Sequence, residues 1–155
     1  MVDQFHQNAF ATIRKPESKL RTYALIKTGI GMEKYLIEVK NVQMRVSYTK
    51  FRLSSHNLMI ETGRYKKMKP EERVCPFCPR AIEDEMHFLL DCYMYSANRD
   101  SLIEKVVEEN YFFQFFRQEQ KFQYLLNTYS HELPKLILKC FELRDFLLQC
   151  PKRCM

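Results

Sequence analysis

The stretch CPFCPRAIEDEMHFLLDC, from Cys75 to Cys92, constrains this chain more than any other feature. Two cysteines stand two residues apart; His87 follows after eight residues and Cys92 after four more. A Cys-x2-Cys turn is the commonest way for one bend to offer two thiolates to a tetrahedral ion. Pro76 stiffens the bend and Pro79 follows the second thiol. Thiolates and imidazole favour zinc over magnesium or calcium, which take oxygen ligands. With Cys75, Cys78, His87 and Cys92 filling all four positions, no place remains for a catalytic water. The spacing therefore predicts one structural zinc ion. Its competitors are a buried cysteine pair with an unrelated histidine, or a redox Cys-x2-Cys. His87 and Cys92 are five apart, slightly more than one helical turn. The second ligand pair is thus expected on a helix that ends or loosens at Cys92, with Asp84 or Glu85 in its first turn.

The rest of the chain reads as helical. Only three glycines occur among 155 residues, tryptophan is absent, and Leu, Phe, Lys and Glu are abundant. The expected fold is mostly α, built around a small CCHC module with at most a short extended segment before it. Residues 1–17 read as a loose leader that contains His6. A basic helical segment and connector covers 18–70, the metal module 71–100, and amphipathic helices 101–155, packed with the rest as one domain. Ser18 is an expected N-cap, and Gly29-Ile30-Gly31 an expected stop. Short helices are predicted around Tyr23, around Tyr35, and from Asn41 to Leu53. On the last, Val42, Val46, Thr49 and Leu53 form one stripe, with Arg45, Lys50 and Arg52 outside it. Leu58 and Ile60 suggest an extended piece ending at Gly63, and Pro70-Glu71-Glu72 a brief helical turn. Later, Leu102, Ile103, Val106 and Val107 mark one helix, and Phe122, Leu125 and Leu126 another. The clearest runs from a Ser130 cap through Leu133, Leu136, Ile137, Cys140, Phe141, Leu147 and Leu148 to Pro151, with Arg144 alone breaking the stripe. The aromatic run Tyr111–Phe116 is expected mainly to form core between the last helices, with part of it able to dock a partner.

Charge divides the chain unevenly. Residues 1–74 hold 15 Lys and Arg against 7 Asp and Glu, a net of +8; residues 75–155 hold 10 against 12, a net of −2. Such an excess suggests a polyanion contact, and nucleic acid is the usual one. Arg45, Lys50, Arg52, Arg64, Lys66 and Lys67 are the candidate phosphate contacts, with Tyr65 as a stacking ring. Arg64 is equally open to a helix-capping or carboxylate-pairing role, and Arg73 to a pairing with Glu61 or with an acidic helix start. Lacking an apolar leader, and with no apolar run longer than four residues, the sequence predicts an intracellular protein, nuclear or cytoplasmic, and no membrane segment. In that compartment clustered cysteines point to metal. Cys140 reads as a core thiol; a second site at Cys150 and Cys154 would lack a clear fourth ligand. His56 and His131 read as a turn residue and a first-turn residue. Glu83-Asp84-Glu85 reads as solvated or as support for the metal ligands. A phosphate-binding glycine loop, a nucleophile elbow and a two-metal carboxylate set are all missing, so the chain is not expected to be an enzyme on its own.

From Phe51 to Tyr95 the sequence resembles the zinc-binding region downstream of the polymerase domain in LINE-type non-LTR retrotransposon reverse transcriptases. The features that match are Arg52-Leu53-Ser54, Ile60-Glu61, Gly63-Arg64-Tyr65, Glu72-Arg73 before Cys75, Glu83-Asp84-Glu85 before His87, and Arg99. Upstream KLRTYALIKTGIGMEKYLIEVKN and downstream FELRDFLLQ resemble the flanks of that region. The resemblance implies a zinc-stabilised, mostly helical module that helps hold template RNA or target DNA, as a detached or domesticated C-terminal piece or a fragment of such a protein. It does not imply polymerase activity, because no polymerase aspartate motif is present.

Overall fold

A computed structural model of the chain describes residues 2–15, 18–27, 29 and 31–149. Within them the fold is mostly α-helical, as the composition requires, and the described residues contain no strand, only an isolated antiparallel bridge between Val74 and Ile82. The α-helices are α1 (Val2–Ile13), α2 (Arg21–Ile26), α3 (Lys34–Glu38), α4 (Val42–Arg52), α5 (Met59–Tyr65), α6 (Ser96–Glu109), α7 (Gln118–Thr128) and α8 (Leu133–Gln149). Single 3-10 turns cover Pro70–Glu72, Tyr93–Tyr95 and Tyr111–Phe115, and a π-helical turn covers His87–Asp91. None of these helices is long and apolar enough to cross a membrane. Pro16, Glu17, Ile30, Cys150, Pro151 and Cys154 lie outside the described residues, as does the side chain of His6.

The core is aromatic. Phe51 of α4 is its hub, with ring centroids 5.8 Å from Phe88, 6.2 Å from Phe122 and 6.4 Å from Phe141. Phe88, from the metal module, stacks on Phe141 of α8 at 4.6 Å. Around them lie Leu58, Tyr95, Leu125, Leu126, Leu133 and Ile137, all buried. Each aromatic pair contributes about 0.5–1.5 kcal/mol beyond area burial, so this cluster locks the module against the long helices.

Several elements depart from the sequence reading. The leader is not loose: α1 occupies it and packs on α2, because Ala9, Phe10 and Ile13 recur at helical spacing. Ser18 does not cap α2 itself; its Oγ accepts from the Leu20 amide, one step before the helix. On α4 the stripe is the wrong one. Val42 and Val46 are 60% and 46% exposed, whereas Tyr48, Phe51 and Arg52 are buried. Met44, Tyr48, Phe51 and Arg52 form an equally good helical stripe, and two large rings bury more area than two valines. The extended piece at Leu58–Ile60 is instead the start of α5, which runs straight through Gly63. Gly63 is needed for close approach rather than for a turn: a Cβ there would lie 2.6 Å from Arg73 Cγ. Ser130 does not cap α8, which begins three residues later; its hydroxyl faces Glu38 at 3.4 Å. Of the aromatic run only Phe113 is buried, while Tyr111, Phe112 and Phe115 are 64–70% exposed.

Candidate metal centre

The segment from Arg73 to Glu83 is a tight hairpin. Glu83 N–H donates to Arg73 O at 2.9 Å, Cys75 N–H to Ala81 O at 2.7 Å, and Ala81 N–H to Cys78 O at 3.2 Å. These bonds fold the Cys-x2-Cys bend back so that both thiols face inward. Asp84 then starts the ligand helix: its Oδ1 accepts from the His87 amide at 2.7 Å and its carbonyl from the Phe88 amide at 3.0 Å. In an ideal α-helix His87 and Cys92 would lie about 140° apart around the axis. The π-helical turn removes that offset, and Cys92 N–H closes it by donating to His87 O at 2.8 Å. Arg99, buried on α6, donates to the carbonyls of Leu89 and Cys92 at the turn's open end.

This geometry brings one ligand atom each from Cys75, Cys78, His87 and Cys92 within 4.8 Å of one another. Cys92 Sγ lies 3.9 Å from Cys75 Sγ and 3.6 Å from Cys78 Sγ. A tetrahedral ion about 2.3 Å from each sulfur would space them about 3.8 Å apart. His87 Nε2 is buried with no hydrogen-bond partner, an orphan that a metal bond would satisfy. Burial pushes the Cys75 and Cys92 thiols up, so a cation is needed to hold them as thiolates. The cluster could therefore hold a metal ion, and the residues are those expected.

In the acidic run beside the ligands Glu83 and Glu85 are buried, not solvated, and Asp84 is half-buried. Glu83 is 1% exposed and receives two 2.8 Å bonds from Arg144 of α8. Its carboxylate also accepts the Met59 amide at 2.7 Å, and its carbonyl the Ile60 amide, so Glu83 caps α5 from a distance. Glu85 takes both ends of Arg21's fork at 3.0 and 2.7 Å and a 2.8 Å bond from His56 Nε2. His56 Nδ1 accepts from the Leu58 amide at 3.4 Å, which leaves the ring proton on Nε2 for Glu85. Burial raises the Glu85 carboxyl, but the His56 hydrogen bond and the Arg21 guanidinium outweigh it and hold it at about 2. Arg144 and Arg21 escaped the sequence reading; the signal was present, since Arg144 alone breaks the stripe of α8.

The candidate phosphate contacts separate. Arg52 is 4% exposed and bonds to Leu126 O at 3.2 Å and Glu33 at 2.6 Å, so it is a core residue and not a surface cation. Arg45 donates to Val39 O at 2.8 Å. Arg64 pairs with Glu61 at 2.9 Å, the alternative the sequence left open. Arg73 does not reach Glu61; it donates to the carbonyls of Ile60 and Met68. Tyr65, Lys66 and Lys67 lie exposed at the end of α5, and Lys50 lies exposed on α4 in a groove shared with Phe141 and Asp145. Cys140 is buried, and that burial pushes its thiol up to about 12, as a core thiol requires. Comparison with known families, curated proteins and solved structures returned no match for this chain.

Proposed function

We propose that this chain is a zinc-stabilised nucleic-acid-binding module of the reducing interior of the cell, accessory to holding template RNA or target DNA and not catalytic alone. The supporting observation is a closed, buried Cys3His cluster fixed to an exposed basic turn only a few residues upstream. Zinc is the ion that suits three thiolates and an imidazole in tetrahedral array. With no ligand position left over, its role is structural, and apparent binding energies of about 10–16 kcal/mol would dominate the module's folding. The resemblance of Phe51–Tyr95 to the region downstream of LINE-type reverse transcriptases points to the same function. Metal analysis of reduced protein should find one zinc per chain, lost in Cys92→Ser. Titration against single-stranded RNA, single-stranded DNA and duplex DNA should give affinities that fall steeply with salt. No binding to any of them at low salt would overturn the nucleic-acid reading.

A second reading has its own observation. Tyr111, Phe112 and Phe115 are all mostly exposed, with Tyr111 ring centroids 6.2 and 5.7 Å from the other two. Such a patch fits a module that docks another protein.

A further inference from the structure

We propose that the turn closing α5 binds an unpaired nucleic-acid strand, with Lys67 on a phosphate and Tyr65 stacked on a base; this rests on the nucleic-acid reading above. Three described non-glycine residues have positive φ: Ser54 at 49°, Lys67 at 57° and Arg80 at 76°. Ser54 is buried, but Lys67 and Arg80 are exposed cations at turns on either side of the first metal ligands. At the end of α5, Met68 N–H donates to Gly63 O at 2.9 Å and Lys67 N–H to Arg64 O at 3.1 Å. This left-handed helix stop is the position where glycine is commonest, because any Cβ there is strained. Neither the Lys67 ammonium nor the Arg80 guanidinium makes an ion pair or hydrogen bond among the described residues. The helix stop uses the left-handed backbone at Lys67, but nothing among the described residues holds the end of either side chain, which leaves both cations free for a ligand. Two long cations in glycine's place indicate an anionic one.

The neighbours narrow its class. Lys66 and Lys69 are exposed beside Lys67, and Tyr65 is 73% exposed. The Arg64 guanidinium lies 5.3 Å from the Tyr65 ring centroid and is itself tied to Glu61, so the ring sits beside an anchored cation. A phenol standing clear of a turn can stack on an unpaired base but not on one stacked within a duplex. The turn is also part of a fixed scaffold. Glu83 of the metal hairpin caps the start of α5, and Arg73 packs against Gly63 in its middle. The ligand these features fit is a single strand, not an acidic protein segment, which would have no use for the ring.

Fluorescence anisotropy with the zinc-loaded full chain tests this, using oligouridine and oligothymidine of about 12 nucleotides, a duplex of the same length and a polyglutamate peptide. Single strands should bind at least about tenfold tighter than duplex or peptide. Lys67→Gly should melt at the same temperature as wild type or higher, yet bind the strand several-fold more weakly, with a salt slope shallower by about 0.7. Lys67→Arg should bind like wild type. Tyr65→Ala should weaken binding about tenfold with the salt slope unchanged. Duplex or peptide binding as tightly as the strand overturns the inference, as does a lower melting temperature for Lys67→Gly. If wild type binds strands and both variants match it, the site is wrong but the nucleic-acid reading stands. If wild type binds no nucleic acid, both fall.

Discussion

Replacing Arg144 with Met leaves Glu83 as a buried carboxylate without a counter-charge, and the structure sets the size of the penalty. The carboxylate is 1% exposed and its partner 4%, so solvent can compensate neither. The pair makes two 2.8 Å bonds, the bidentate geometry that holds a buried ion pair together. Removing one member of such a pair costs about 3–5 kcal/mol, chiefly the burden of the stranded charge. Against a total stability of about 5–15 kcal/mol that is a large fraction. For a domain of this size it lowers the melting temperature by roughly 10 °C. The damage should spread to the metal, since Glu83 also closes the hairpin that carries Cys75 and Cys78. Urea denaturation of the zinc-loaded protein reads the stability, and competition with a chromophoric chelator reads zinc affinity. Glu83→Gln in the Arg144→Met background neutralises the stranded charge while keeping an acceptor for the Met59 amide. The double variant should therefore recover at least about 2 kcal/mol relative to the sum of the singles. Additive losses, or a single loss below about 1 kcal/mol, would show that the pair does not couple the metal module to α8.

Three further outcomes follow from the same geometry. Phe113→Ala should cost about 3–5 kcal/mol while Phe112→Ser stays within about 0.5, because only the first ring is buried; equal losses in thermal melts would contradict the packing. Arg52→Ala should lower stability by more than about 2 kcal/mol, since it deprives Glu33 and the Leu126 carbonyl of a donor, whereas Lys50→Ala should leave the melting temperature unchanged; the reverse order would return Arg52 to the surface. The Glu85 carboxyl sits at about 2 in the fold against an ordinary 4.5, so its contribution is full above pH 4.5 and drains away as pH falls towards 2. Comparing wild type with Glu85→Gln cancels the acid lability of the metal ligands, and the stability gap between them should narrow by about 3 kcal/mol over that window; a gap independent of pH would contradict the pairing.

What the sequence disclosed, and what it hid, follows from how far apart interacting residues lie along the chain. The four candidate metal ligands span 18 residues and their chemistry is local, so spacing alone singled out the cluster that the fold brings together. The five-residue step from His87 to Cys92 even implied the loosened helix that the π turn supplies. Helices with strong periodicity were legible for the same reason. The face of α4 was not, because Arg52 belongs to the buried stripe, and its acceptors Leu126 and Glu33 lie 74 and 19 residues away. The start of α5 was not, because its cap is Glu83, 24 residues on. The basic excess of the first half left most open, since charge in a sequence says nothing about burial. It divides largely by residue type, with Lys27, paired to Glu33, as an exception. Arg21, Arg52, Arg64 and Arg73 are engaged within the fold, where a planar, weakly hydrated fork can satisfy carboxylates and carbonyls together. Lys50, Lys66 and Lys67 remain in solvent, as compact, strongly hydrated ammonium groups do. If the chain grips a polyanion, lysines from this half should carry most of the grip, and removing its arginines should unfold the protein before it releases a ligand.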